Sequence, residues 1–260
     1  MQHCQSGTPE FLAETIAAAK QMTKKSLLFR MDSGNDALEN MLLLHWHDPQ
    51  LKFLIKHNFR REDRFAIAEE LKTVCQNVKH PRDGKAVYIG STWQNFETEK
   101  DGSFAIRMVY EIIERTTAAD GQEMLFPETE IDMYWTSLGV SDEEVIVLYH
   151  NHAVCEQYHS EIKTDMGIER LPSGKFETNA LILKLTMIAY NILRIIGTAA
   201  MKGNDMPVRH STIKRRRIRT VIDNLILLAG HLTDHARKLR LALGHCNGWI
   251  YTFLRVAASF

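Results

Sequence analysis

With 260 residues and 45% hydrophobic side chains, the chain is long and apolar enough to bury a sizeable core, which argues against a disordered or fibrous protein. Its four cysteines, Cys4, Cys75, Cys155 and Cys246, are far apart and form no C-x-x-C pair, so neither a disulfide framework nor a zinc knuckle is expected, and a reducing cytosol fits. Formal net charge is zero, but from Ala199 to Phe260 eleven Lys or Arg face three Asp, a net of +8, leaving the earlier part at −8. A basic end suits polyanionic DNA and an acidic centre suits metal ions.

The first twenty residues hold no basic-then-apolar signal sequence. Thr8-Pro9 opens a helix, with a side-chain oxygen for the first amides and a ring whose missing N–H costs nothing there; Phe11, Leu12, Ile16 and Ala19 follow at helical spacing. The apolar run Ser26 to Met31 predicts a buried strand ending in Asp32-Ser33-Gly34, which places an acid at the carboxyl end of a core strand, where open α/β sheets put their chemistry. Leu42 to Arg82 is mixed and helical in part, with no further organisation legible. His45-Trp46-His47 lacks further spaced ligands and is expected at a surface or interface.

Between Ala86 and Leu138 the period changes to two. Phe104, Ile106, Met108, Tyr110 and Ile112 alternate with Ala105, Arg107, Val109, Glu111 and Ile113, with Asp101-Gly102 and Asp120-Gly121 as turns, so three antiparallel strands are predicted, a β insertion in an α/β chain. Core packing is the expected fate of Trp93 and Trp135. Ser141-Asp142-Glu143-Glu144 is a capping box opening a helix that runs towards Lys163. Ala180 to Gly197 is apolar but interrupted by Lys184, Asn191 and Arg194, so it reads as a buried helix and not as a membrane span. Pro207 breaks the chain, and the basic run Lys214-Arg215-Arg216-Arg217-Ile218-Arg219 leads into a predicted helix from Val221 to Leu243.

Tyr149, His152, Glu156 and Lys163 fall within an arc of roughly 60° if the helix is unbroken. Spacing alone does not separate a site from a solvated helix face. These residues resemble the Y-(2)-R-(3)-E-(6)-K signature of cut-and-paste DDE transposases of bacterial insertion sequences, with His152 in place of arginine. Tyr134-Trp135-Thr136-Ser137-Leu138 before it, and Phe176-Glu177-Thr178-Asn179 through Ala189-Tyr190-Asn191 after it, resemble the family's flanks. Phe29-Arg30-Met31-Asp32-Ser33-Gly34 resembles the R-x-D-S-G segment around its second aspartate. The resemblance spans Gln2 to about Ala258.

The resemblance implies an α/β (α+β) fold with an RNase H-like catalytic core. Residues 1–82 would hold the second aspartate, 83–140 the β insertion, 141–200 the glutamate helix and 201–260 a basic helical region. It implies that Asp32 and Glu156 are metal-binding catalytic carboxylates, and that Tyr149, His152 and Lys163 contact DNA. Two Mg²⁺ or Mn²⁺ ions are the implied cofactors, since hard cations take carboxylate oxygens. The run Lys214, Arg215, Arg216, Arg217 and Arg219 is assigned to phosphate contact. Histidine at 152 is mostly neutral at pH 7 and lacks the two-pronged grip of arginine.

The implied partner is double-stranded DNA at transposon ends, with a homodimer pairing two ends, no membrane, and a bacterial cytoplasmic location. The family's first aspartate has no counterpart, because the 31 residues before Asp32 contain no Asp. The expectation is therefore a core truncated at its amino end and unable to cleave DNA alone; the alternative is a non-catalytic DNA-binding remnant.

Overall fold

The computed structural model describes residues 7–98, 102–118, 120–151, 153–207, 215–244 and 247–260. The chain divides into two compact units, residues 1–153 and 154–260.

In the first unit, helix α1 (Thr8–Met22) begins on Gly7 in the left-handed conformation, so the N-cap is this glycine, one residue ahead of the predicted threonine. Strand β1 (Leu27–Met31) follows where the apolar run predicts it. The unorganised stretch resolves into α2 (Leu38–His47), β2 (Leu51–Lys56), α3 (Arg64–Val74) and β3 (Asn77–Arg82). Asp63 caps α3 by accepting from Phe65 N and Ala66 N at 3.0 and 3.2 Å. The three predicted strands are β4 (Lys85–Thr98), β5 (Gly102–Thr117) and β6 (Glu123–Thr136). Gly121, φ +89°, supplies the left-handed residue in the β5–β6 turn.

These strands form one mixed sheet of six, in the order β1-β2-β6-β5-β4-β3. Only β1 and β2 run parallel; β2–β6 and all later pairs are antiparallel. The expected boundary at residue 83 falls inside this sheet, between the paired strands β3 and β4. Alternation sorts the side chains as expected. Phe53, Ile55, Trp135, Phe104 and Ile106 meet α1 and α2, and Tyr110, Ile112, Ile131 and Met133 meet α3 through Ala68. Leu54, Tyr134, Val109, Val87 and Ile89 face the opposite way, onto Val145 and Ile146 of α4 (Asp142–His150). Ser141 caps α4 by accepting from Glu144 N at 3.3 Å, as the capping box predicts.

The predicted continuous helix from Ser141 to Lys163 is interrupted. α4 ends at His150, and α5 (Ala153–Ser160) begins after the Asn151 turn and runs into a π-helical turn, Glu161–Asp165. Asn151 N–H bonds back to Val147 and Tyr149 carbonyls, closing α4 instead of extending it.

In the second unit, α6 (Phe176–Met201) is the predicted apolar helix, but its burial is one-sided. Thr186, Tyr190, Gly197 and Ala200 turn inward, whereas Leu181, Leu185, Ile188, Ile192 and Ile195 are each more than half exposed within the unit. By length and composition alone α6 is long and apolar enough to cross a membrane. Its Arg194 is used locally, donating to Arg216 O at 3.3 Å. The core joins α6 to α7 (Ile218–Val221) and α8 (Ile250–Ala257) through Ala200, Val221, Leu225, Trp249 and Val256. Arg255 donates to Ala199 O and Ala200 O, satisfying carbonyls at the end of α6, while Asp205 holds its guanidinium at 2.8 Å. The helix predicted to Leu243 stops early. A second π-helical turn, Ile222–Ile226, closes it, and β7 (Gly230–His235) and β8 (Lys238–Leu243) form an antiparallel hairpin instead.

Candidate functional site

Asp32 lies at the carboxyl end of β1, beside the parallel partner β2, as the apolar run and its terminal acid predict. It is exposed and caps a short 3-10 turn, Ser33–Asn35: Oδ1 accepts from Gly34 N at 3.1 Å and from Asn35 Nδ2 at 2.7 Å. Both bonds fall on one oxygen, so Oδ2 keeps its acceptor capacity. Arg30, two residues earlier, donates from Nη1 to Leu148 O at 2.7 Å, tying the last turn of α4 to the strand that carries Asp32.

Four residues beyond Asp32 begins a network that sequence reading missed. Asp36, 6% exposed, accepts through Oδ2 from Asn58 N at 2.7 Å, and its Oδ2 lies 2.9 Å from His57 Nδ1. His57 Nε2 lies 2.8 Å from Glu62 Oε2, so the imidazole is held between two carboxylates. Burial opposes its protonated form, but the bonds and charges of Asp36 and Glu62 outweigh burial, and the His57 pKa lies above the ordinary histidine value. Arg60, at φ +48°, donates to Asp36 O at 2.5 Å, and Asn58 Nδ2 donates to Ser33 O at 3.2 Å. The segment after β2 is thereby stitched to the turn after β1. These residues border a cleft of about 690 Å³ with Phe96 and Trp135 on its wall.

Of the signature residues, Tyr149 belongs to the first unit, on α4, half-buried with its ring 4.7 Å from that of Tyr134. Glu156 is an exposed residue of α5 in the second unit. Lys163 is exposed on the π-helical turn, whose wider winding takes it out of the phase an unbroken α-helix would give. Tyr149 and Glu156 therefore do not share one continuous helix. His152 and Lys214 lie outside the described residues.

The basic run is engaged with acids of its own unit. Arg215 Nη1 donates to Glu161 Oε1 and Oε2 at 2.8 and 3.0 Å, its Nη2 donates to Gln157, and its guanidinium lies 4.8 Å from the Tyr158 ring centroid. Glu161 is 1% exposed and accepts a third bond, 2.8 Å, from Tyr190 OH. Burial and the neighbouring carboxylate push the Tyr190 phenol up to about 12, so it remains a donor. Arg217 grips Asp165 through Nε and Nη2 at 2.8 and 3.0 Å, and Arg219 pairs with Asp223 at 3.0 Å. Arg216 sits over the Trp249 ring with its Nε buried and unpartnered among the described residues.

Of the two tryptophans expected in the core, Trp135 packs there, 4% exposed, and Trp93 does not, at 67% exposed. It lines a separate cleft with Trp46 and Leu51, near the start of β2 and so away from the strand end that carries Asp32.

The carboxylates of Asp32 and Glu156 are of the donor type hard divalent ions take. Among the described residues no group of three or more His, Cys, Asp or Glu is assembled that could hold a metal ion. No match is found among curated proteins. The family described as transposase DDE domain, group 1, matches residues 2–259, nearly the whole chain. On that match, the chain belongs to the DDE transposase domain family.

Proposed function

We propose that this chain is part of the catalytic region of a bacterial insertion-sequence transposase with an RNase H-like core, acting on double-stranded DNA at the ends of its element. The observation that carries the reading is the exposed Asp32 at the carboxyl end of the parallel pair β1–β2, within a chain matched almost throughout by the family. Asp32 and Glu156 are two of its metal-binding carboxylates. When bound, divalent Mg²⁺ or Mn²⁺ supplies charge that activates the attacking oxygen and stabilises the leaving one in phosphodiester cleavage and strand transfer.

The protein's own part is positional. Asp32 offers a carboxylate whose turn is fixed by Gly34 and Asn35, and the Asp36–His57–Glu62 network fixes the base of that turn. Tyr149, His152 and Lys163 are the residues for DNA near the cut end, and the run Lys214, Arg215, Arg216, Arg217 and Arg219 contributes less charge than its count, since Arg215, Arg217 and Arg219 are paired with Glu161, Asp165 and Asp223. Two copies acting together would pair two ends.

A second reading, a DNA-binding chain without cleavage, rests on the net charge of +8 over residues 199–260, which suits DNA contact whether or not a metal is held. One experiment separates them: binding and nicking of end-bearing duplex by the pure chain with Mg²⁺ or Mn²⁺. Nicking favours the first reading, and salt-sensitive binding without nicking favours the second. Nicking by the pure chain that persists in Asp32→Ala would overturn the assignment of Asp32, and absence of any duplex binding would overturn the transposase reading.

A further inference from the structure

Three cations without an acidic partner among the described residues, Arg237, Lys238 and Arg240, sit together on the β7–β8 ribbon. The opposed pairs His231↔Ala242, Thr233↔Arg240 and His235↔Lys238 alternate with Gly230↔Leu243, Leu232↔Leu241 and Asp234↔Leu239. Opposed residues project from one face of an antiparallel pair. One face therefore carries His231, Thr233, His235, Lys238 and Arg240, and the other carries Leu232, Asp234, Leu239, Leu241 and Leu243. Every residue of the ribbon except Leu243 is exposed. Arg237 and Ala236 form the connection, with φ of +62° and +54°. Such two-residue turns favour Asn or Gly because a Cβ is disfavoured at positive φ, so an arginine is held at this tip against local preference. Among the described residues Arg237, Lys238 and Arg240 make no ion pair, whereas Arg215, Arg217 and Arg219 meet Glu161, Asp165 and Asp223.

We propose that the cationic face of this ribbon, with Arg237 at its tip, is a contact surface for the phosphate backbone of duplex DNA. This rests on the transposase reading, which supplies the duplex, and places contact outside the Lys214–Arg219 run. Charge complementarity selects the partner, and a two-stranded ribbon is narrow enough to enter the major groove. A lipid surface suits the geometry less well, because Asp234 sits among the leucines on the face that would enter it.

The test uses the full chain and a short duplex of arbitrary sequence, with affinity measured by fluorescence anisotropy across a salt series. Lys238→Gln with Arg240→Gln removes two cations from the face. Ala236→Asn with Arg237→Gly removes the tip cation while giving the turn the residues it favours, so this variant folds at least as well as the parent. The slope of log affinity against log salt should fall by about 0.9 per cation removed, about 1.8 for the first variant and about 0.9 for the second. Melting temperature of the tip variant should be equal or higher.

Unchanged slopes in both variants, with the parent binding duplex, overturn the ribbon proposal alone. So does loss of binding to phosphatidylserine vesicles with duplex binding intact. A parent that binds no duplex at any salt overturns the transposase reading beneath it.

Discussion

Arg215 places Nη1 2.8 and 3.0 Å from the two carboxylate oxygens of Glu161, a side chain only 1% exposed. The residue that opens the described part of the basic run is thus a structural counter-ion that holds the π-helical turn to the segment before α7. Removing one partner of a buried pair leaves a charge uncompensated and costs about 3–5 kcal/mol. Arg215→Ala should therefore lower unfolding free energy by about 3 kcal/mol in urea titration, with Glu161→Gln, which keeps an acceptor for Tyr190, losing less. Arg217→Ala removes a guanidinium that is 53% exposed but leaves Asp165, 5% exposed, held by the Arg219 N–H at 3.2 Å, so it should lose less than Arg215→Ala and more than an exposed pair. Equal, small effects at all three would remove the structural role of Arg215.

His57 makes stability depend on pH. Its folded-state pKa is raised by Asp36 and Glu62, so the pair bonds stabilise fully below the unfolded value, about 6.5, and that contribution is lost as pH rises through the folded value. Thermal melts of the parent should show a decline from about pH 6.5 upward that is flattened in His57→Gln. A parent whose decline matches the variant's would show that the clamp contributes nothing.

The two tryptophans of the sheet should respond oppositely. Trp135 is packed against Phe96 and His57, with ring centroids 5.6 and 5.5 Å away, and Trp135→Ala should cost about 3–5 kcal/mol. Trp93 is 67% exposed, and Trp93→Ala should stay within about 0.5 kcal/mol. Denaturation followed by circular dichroism checks both, and a large loss at Trp93 would contradict the exposed placement.

What was legible in the sequence follows from where periodicity survives. β4 to β6 keep clean alternation because each sheet face meets different helices, so Phe104 to Ile113 reads as a strand. β2 does not, because Leu51, Phe53, Leu54 and Ile55 are buried on both faces and the segment has no clear period. The β7–β8 hairpin was mistaken for helix because Leu232, Leu239 and Leu243 fall seven and four apart, and its Ala236-Arg237 turn carries no glycine or asparagine. The break after His150 has no proline or glycine to announce it. Asp32 was visible as an acid ending an apolar run, whereas Asp36, His57 and Glu62 meet only through the pairing of β1 with β2, which local sequence does not specify.

The central claim is that Asp32 and Glu156 are metal-binding carboxylates. Titration of Mn²⁺ into the parent, Asp32→Asn and Glu156→Gln, followed by electron paramagnetic resonance of the free ion, tests it most directly. Asp32→Asn keeps an Oδ1 acceptor for Gly34 N, so the turn should persist while a charged ligand is lost. The account predicts that each substitution weakens Mn²⁺ binding by about tenfold or more, with melting temperature little changed. Equal Mn²⁺ affinity in all three proteins would contradict it.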